Sequence, residues 1–243
     1  MFGADIVAAI QADAIARYPR ESCGLVTAAG YEPFANIHAT PETQFEMPAA
    51  ALARLAAGNV LAVVHSHPDG PLAPSVEDQR QQIATALPWG IVSTDGVTAS
   101  DPLWWGDSIP APPIEGRDFR WGPSGTDGKG DCYALVRDWY RRERGLVLRD
   151  YARDAAWQDE NPLLYQQGWQ AEGFRPIAED ALQPGDAVLF AIRSQGRPNH
   201  AGIYLGQGLL LHHLENRLAE RTTLAFWRAA ILTFLRPPEP PSA

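Results

Sequence analysis

Cysteine is scarce in this chain: its 243 residues contain two, Cys23 and Cys132. A single possible pair cannot staple a disulfide scaffold, so a packed core must hold the fold, and synthesis in a reducing cytoplasm is expected. Basic charge is also short, with 20 Lys and Arg against 29 Asp and Glu, a net charge of −9. Binding to nucleic acid feeds on an excess of cations, so nucleic acid is excluded as a main partner. No apolar run approaches the roughly 20 residues that cross a bilayer, which predicts no membrane insertion. The first residues lack a basic start and meet Asp5 and Asp13 early, so no secretory signal is expected.

What is present points to globular structure: 45% hydrophobic and 20% charged residues. The charge is unevenly placed. Residues 1–115 hold 13 acids and 4 bases, whereas residues 116–243 hold 16 of each, and this asymmetry predicts two domains. Between them, residues 101–116 contain four prolines and three acids without periodicity and read as a semi-rigid linker. The boundaries expected are therefore 1–100, the linker 101–116, 117–236, and a flexible tail at 237–243. No internal repeat is present.

In the first half, residues 4–18 have the apolar spacing of an amphipathic helix stopped by Pro19. A strand follows from Arg20 to Thr27, residues 36–48 read as loop and strand, and residues 48–57 as a short helix. Leu61–Val64 is a buried strand carrying His65 and His67 at its end, two residues apart and so on one face. After a Pro/Gly-rich loop, Ser75 opens a helix that carries Asp78 in its first turn. Two imidazoles and a carboxylate converging from rigid elements suit a catalytic zinc ion with its fourth position left to water. Ser-x-x-Asp before a helix is also a common capping pattern, and that reading stands beside the first. Glu21, at the entrance of the first strand, is a candidate general base, because a zinc-bound water needs a carboxylate to take its proton. Cys23 reads as a small buried residue.

In the second half, Cys132 opens an amphipathic helix with Leu135, Val136, Trp139 and Tyr140 on one face, closing at Gly145. The helix N-terminus favours a thiolate, although a lone cysteine is more often an inert buried thiol. Nucleophilic work also needs an imidazole. Residues 187–192, 199–206 and 209–214 read as strands, the last two a hairpin that brings His200 near the pair His212 and His213. Hairpin geometry alone does not choose between those two, since one residue of register swaps their faces. Residues 146–178 read as helical pieces, and residues 229–235 as the last strand.

These motifs carry two resemblances. Glu21-x-Cys23-Gly24, His65-x-His67-Pro68, Ser75 and Asp78 resemble the signature of the JAMM (MPN) metallopeptidases. That likeness implies a sheet between helices, as in cytidine deaminases, with His65, His67 and Asp78 on Zn2+, Glu21 as general base and Ser75 steadying the oxyanion. Asp131-Cys132, Pro184-Gly185-Asp186 and His200-Ala201-Gly202-Ile203-Tyr204 resemble the NlpC/P60 cysteine peptidases. It implies a papain-like α+β fold with Cys132 as nucleophile and His200 as base. Family spacing puts the orienting residue twelve positions later, at His212. The tyrosine these enzymes often carry upstream of the cysteine has no clear counterpart, since Phe119 and Trp121 occupy that region.

The two families in one short chain, with Leu87-Pro88-Trp89, Asp131-Cys132-Tyr133 and Leu210-Leu211-His212-His213-Leu214, resemble the tail-tip assembly proteins of lambda-like phages. The resemblance implies a bifunctional peptidase, with peptidoglycan peptides as substrate and phage tail-tip proteins as partners. It would be made in the cytoplasm and carried on the virion tail or released by lysis. A structural assembly factor with little turnover is the alternative.

Overall fold

The computed structural model describes residues 1–157 and 164–239, with main chain alone at 164 and 166. The chain divides into two compact units, Met1–Pro110 and Ala111–Ala243.

In the first unit a five-stranded sheet is built from β1 (Cys23–Thr27), β2 (Gly30–Phe34), β3 (Val60–Pro68), β4 (Trp89–Thr94) and β5 (Leu103–Trp105). Their order is β2-β1-β3-β4-β5. β3 and β4 run parallel and are joined through helix α3 (Val76–Thr85); the other neighbours are antiparallel. The two-residue period of the strands sorts their apolar side chains onto two faces. Leu25, Val63, Trp89, Ile91 and Trp105 pack with Ala51 of helix α2 (Ala49–Ala56). Val26, Ala62, Val64, Val92 and Trp104 pack with Ile10 and Ala14 of helix α1 (Ala4–Arg17). A sheet so covered is apolar on both sides, which is why its central strands read as continuous hydrophobic runs.

The second unit holds six strands: β6 (Arg175–Ile177), β7 (Ala187–Phe190), β8 (His200–Gly206), β9 (Leu209–His212), β10 (Glu220–Thr223) and β11 (Ile231–Arg236). All neighbours in the order β10-β9-β8-β7-β11-β6 are antiparallel. Helix α4 (Cys132–Arg144) lays Leu135, Val136 and Tyr140 on Leu189, Ala201, Ile203, Leu211 and Leu235. Tyr165 and Trp169 of helix α5 (Leu164–Ala171) join the same core. The other face, Val188, Phe190, Leu210 and Phe234, is covered in part by Leu224 and Trp227 of the short helix α6 (Leu224–Trp227). α4 begins at Asp131, whose side chain accepts the Ala134 N–H at 2.8 Å, and ends at Gly145 with φ 63°.

Several expectations shift. Residues 103–105, expected in the linker, form the edge strand β5, because Trp105 is fully buried beside Trp89 and Trp104 covers the bare backbone of Gly90. At 112–113 the chain is tied to the second unit. Arg117 donates to the carbonyls of Pro112 and Pro113 at 3.1 and 2.8 Å, and to Asp138 of α4 at 2.8 Å. The strand expected within 36–48 is absent; the pairing falls earlier, on β2. Part of 146–178 is strand β6 rather than helix. The helical reading of 158–163 and the tail at 240–243 lie outside the described residues.

A Cβ at Gly90 would stand 2.5 Å from the Trp104 ring, itself 4% exposed and boxed in by the sheet. Gly90→Ala is expected to destabilise the first unit by about 1–3 kcal/mol through overpacking, seen as a lower midpoint in chemical denaturation followed by tryptophan fluorescence.

Candidate active sites

β3 delivers His65 and His67 to one face, and α3 brings Asp78 over that face in its first turn. The nearest ring nitrogens and carboxylate oxygens form a tight triangle. His65 Nε2 to His67 Nε2 is 3.0 Å, His65 Nε2 to Asp78 Oδ1 3.1 Å, and His67 Nε2 to Asp78 Oδ2 3.4 Å. For metal bonds of about 2.0–2.1 Å, ligand atoms on a tetrahedron lie roughly 3.3 Å apart, so the triangle has the dimensions of three ligands around one small ion. His67 Nδ1 donates to the Pro71 carbonyl at 2.9 Å, which leaves the Nε2 lone pair facing the centre. The His65 ring stacks on Phe45 with centroids 4.6 Å apart. This His-His-Asp cluster can hold a metal ion, and the donor set suits zinc.

The charge balance follows from burial. Desolvation holds His65 below its ordinary value. Burial pulls His67 the same way, but the Asp78 carboxylate beside it carries it above its usual value. Asp78 is driven well below the carboxylate range, its desolvation outweighed by the two imidazoles and by the Ser75 side chain. Ser75 is indeed a cap: its hydroxyl accepts the Asp78 N–H at 3.1 Å while its own N–H donates to Asp78 Oδ2 at 2.7 Å. Capping and cluster formation thus use the same carboxylate, so the capping pattern does not exclude the cluster.

Glu21 reaches the cluster by register. β1 and β3 pair Cys23 with His65, and the Ser66 N–H donates to the Ser22 carbonyl at 3.0 Å, so the ladder continues and sets Glu21 opposite His67. The Glu21 carboxyl is buried, and desolvation pushes it up to about 7, with His67 opposing and Asp78 adding to the rise. Cys23, fully buried with its thiol pushed up to about 12 by desolvation, is a packing residue.

In the second unit, Cys132 is the first residue of α4 and 5% exposed. The thiolate expected there is not the resting form. Burial pushes the thiol up to about 11 and the neighbouring Asp131 carboxylate adds to it, outweighing the helix terminus. Asp131 is held by a buried bidentate pair with Arg153, at 2.6 and 2.9 Å. The Tyr165 hydroxyl lies 3.3 Å from Cys132 Sγ, and the main chain of Ala201, next to His200, favours the ionised form of the sulfur. A partly open pocket adjoins the thiol; Trp121, Tyr133, Val136, Leu148 and Trp157 are among its walls.

His200 opens β8, and β9 pairs His212 with Gly202 across the hairpin. His200 Nε2 and His212 Nδ1 are 3.1 Å apart, and His212 Nε2 is 3.1 Å from Thr222 Oγ1 on β10. His213 turns away, to the Arg217 carbonyl at 3.2 Å and the Phe119 ring. The register thus brings His212, and not His213, to His200. Burial keeps both paired rings neutral, His200 well below its ordinary value and His212 down to about 4. Tyr165, Arg153 and Thr222 carried no signal in the sequence. Each meets its partner across ten or more residues, and none sits in a recognisable motif.

Comparison with known proteins agrees with both halves. Residues 116–236 match the NlpC/P60 family, and residues 3–105 match the prokaryotic homologs of the JAB domain. The fold is accordingly mixed α and β, a JAB-like unit followed by a papain-like one. A probable endopeptidase of Mycobacterium bovis is 31% identical over 97 residues, 40% of this chain and 20% of its own. The tail tip assembly protein K of Escherichia phage lambda is 35% identical over 68% of this chain and 74% of its own. The same protein of Escherichia phage N15 is 35% identical over 94% of this chain and 92% of its own. Matched over more than nine tenths of both chains at that identity, the chain belongs to the family of phage tail tip assembly protein K.

Proposed function

We propose that the protein is a bifunctional peptidase of a phage tail, whose cysteine unit cuts the stem peptides of peptidoglycan. The observation that carries this reading is the pair His200–His212 at 3.1 Å, on a strand whose next residue, Ala201, favours the ionised Cys132 sulfur through its main chain. His200 is the base that takes the thiol proton and returns it to the leaving amine; Cys132 attacks the peptide carbonyl. His212 orients His200. Thr222 Oγ1 accepts from Trp227 Nε1 at 3.0 Å and has a second lone pair for His212 Nε2–H. His212 Nδ1 then accepts from His200 Nε2–H, which leaves the lone pair of His200 on Nδ1. Synthesis in the host cytoplasm and delivery by the virion or by lysis fit such a wall substrate, and tail-tip proteins are the natural partners.

The JAB-like unit is assigned zinc and a peptide or isopeptide bond, in a tail protein during assembly. His65, His67 and Asp78 would hold the ion; when bound, zinc polarises a carbonyl and lowers the pKa of a coordinated water. Glu21, with a carboxyl near 7, can accept a proton at neutral pH and return it to the leaving amine. The Ser75 hydroxyl, whose oxygen accepts from Asp78, keeps its own proton to donate toward the carbonyl oxygen. One observation favours a second reading, a structural assembly factor with little turnover: the thiol is covered and neutral in this form.

Incubation with soluble muropeptides separates the two. Cleavage is expected, unaffected by chelator and reduced at least about 10³-fold in Cys132→Ala and His200→Ala; intact muropeptides would leave the structural reading standing. Metal analysis of the purified protein should find one zinc per chain, lost in Asp78→Ala. Protons compete with metal for the two Nε2 lone pairs, so occupancy is expected to fall below about pH 6, near the ordinary imidazole value. For Cys132 the thiolate fraction rises with pH, so the rate of alkylation by iodoacetamide should keep climbing past pH 9 without a plateau. A plateau near neutrality would contradict the buried neutral thiol.

A further inference from the structure

The cleft around Cys132 holds several aromatic side chains, and their polar ends are not equivalent. The Tyr133 hydroxyl donates to the Arg149 carbonyl at 2.7 Å, and the Tyr151 hydroxyl to Glu172 at 3.3 Å. Upstream of the cysteine, Phe119 has no polar atom, and Trp121 spends its Nε1–H on Glu215 at 3.3 Å. Among these, Tyr165 alone brings a hydroxyl to the sulfur, at 3.3 Å. Its ring is seated edge-on against Trp157, with centroids 5.2 Å apart, and against Tyr133 at 6.2 Å. The position is therefore fixed by packing on both sides of the ring.

We propose that Tyr165 is a catalytic residue of the cysteine site, donating its hydroxyl first to the ionised sulfur and then to the oxygen of the tetrahedral adduct. This rests on the cysteine-peptidase reading above. Once Cys132 has lost its proton, only the tyrosine can donate in this pair. Burial and the adjoining sulfur hold the phenol well above its ordinary value, so it keeps its proton throughout. The steps balance without another reactant. The thiol proton passes to His200, a sulfur electron pair forms the S–C bond, and the carbonyl π pair moves onto oxygen. That oxygen lies two bonds from sulfur, within reach of a hydroxyl already touching the sulfur. Collapse re-forms the carbonyl, the C–N bond breaks, and the amine leaves with the proton from His200. Water then cleaves the thioester with His200 again as base.

The test uses full-length protein with Tyr165→Phe, which removes one oxygen and keeps the ring. With soluble muropeptides, kcat is expected to fall about 10²–10³-fold, the usual loss of one oxyanion donor, while KM changes little. Independently of any cleavage, the pH profile of Cys132 alkylation should move to higher pH, because a donor to the thiolate is gone. Trp169→Phe, which trims packing on the same helix and carries no hydroxyl, should leave that profile in place. An unchanged alkylation profile in Tyr165→Phe would overturn the proposal, as would an equal shift in both variants. Faster alkylation at every pH without a shift would make Tyr165 a cover and not a donor, and would also overturn it. If the wild-type protein leaves muropeptides intact, the functional reading fails and the alkylation profiles still decide the role of Tyr165.

Discussion

The ladder between β1 and β3 sets Cys23 against His65, and the Ser66–Ser22 bond carries it one step further. Because opposed residues of an antiparallel pair share a face, that register places a carboxylate, two imidazoles and the apolar residues beneath them on one side of the sheet. A slip of one residue in β3 would turn both histidines toward α1 and bring Ser66 to the side where Leu25 and Trp89 pack. The apolar clusters on the two faces make such a slip costly, so the packing that stabilises the unit also holds the cluster. In the second unit the β8–β9 register has the same authority, and it separates His212 from the adjacent His213.

Buried charge is handled differently in the two units. In the JAB-like unit, acids and imidazoles of opposite tendency lie within about 3 Å and settle one another's protonation. Beside Cys132 the charge lies on Asp131 and Arg153, joined through two short bonds, with Asp150 accepting from the other nitrogen of Arg153 at 2.7 Å; the thiol and imidazoles are left uncharged. An isolated buried charge would cost several kcal/mol, so an apolar aromatic cleft favours a neutral resting pair over an ion pair. The helix terminus, which alone would favour a thiolate, is the smaller effect here.

Much of this was legible in the chain, and the exceptions have a common cause. The central strands and α4 carry their signal in apolar periodicity, and His65, His67 and Asp78 sit at fixed offsets on regular elements. The four strands missed, β2, β5, β6 and β10, are the four edges of the two sheets. They are short and most are half-exposed, and β2 and β6 contain Pro33 and Pro176, which only an edge tolerates. β2, β6 and β10 have too little buried surface to impose a pattern, and β5, though buried, is three residues long. Glu21 was legible through its motif, although its distance from His67 needed the ladder. Tyr165 was not, since its contact with Cys132 spans 33 positions and no motif joins the two residues.

Thr222, at the end of the imidazole chain, belongs to β10, and β10 is paired on one side only. Outer strands open with less free energy than the core they flank. Peeling away this one ribbon would remove the oxygen that His212 Nε2 bonds, while α4 and the inner strands stay folded. The basicity of a buried ring two partners away is thereby tied to the local melting of a four-residue margin, and to whatever chain runs alongside it.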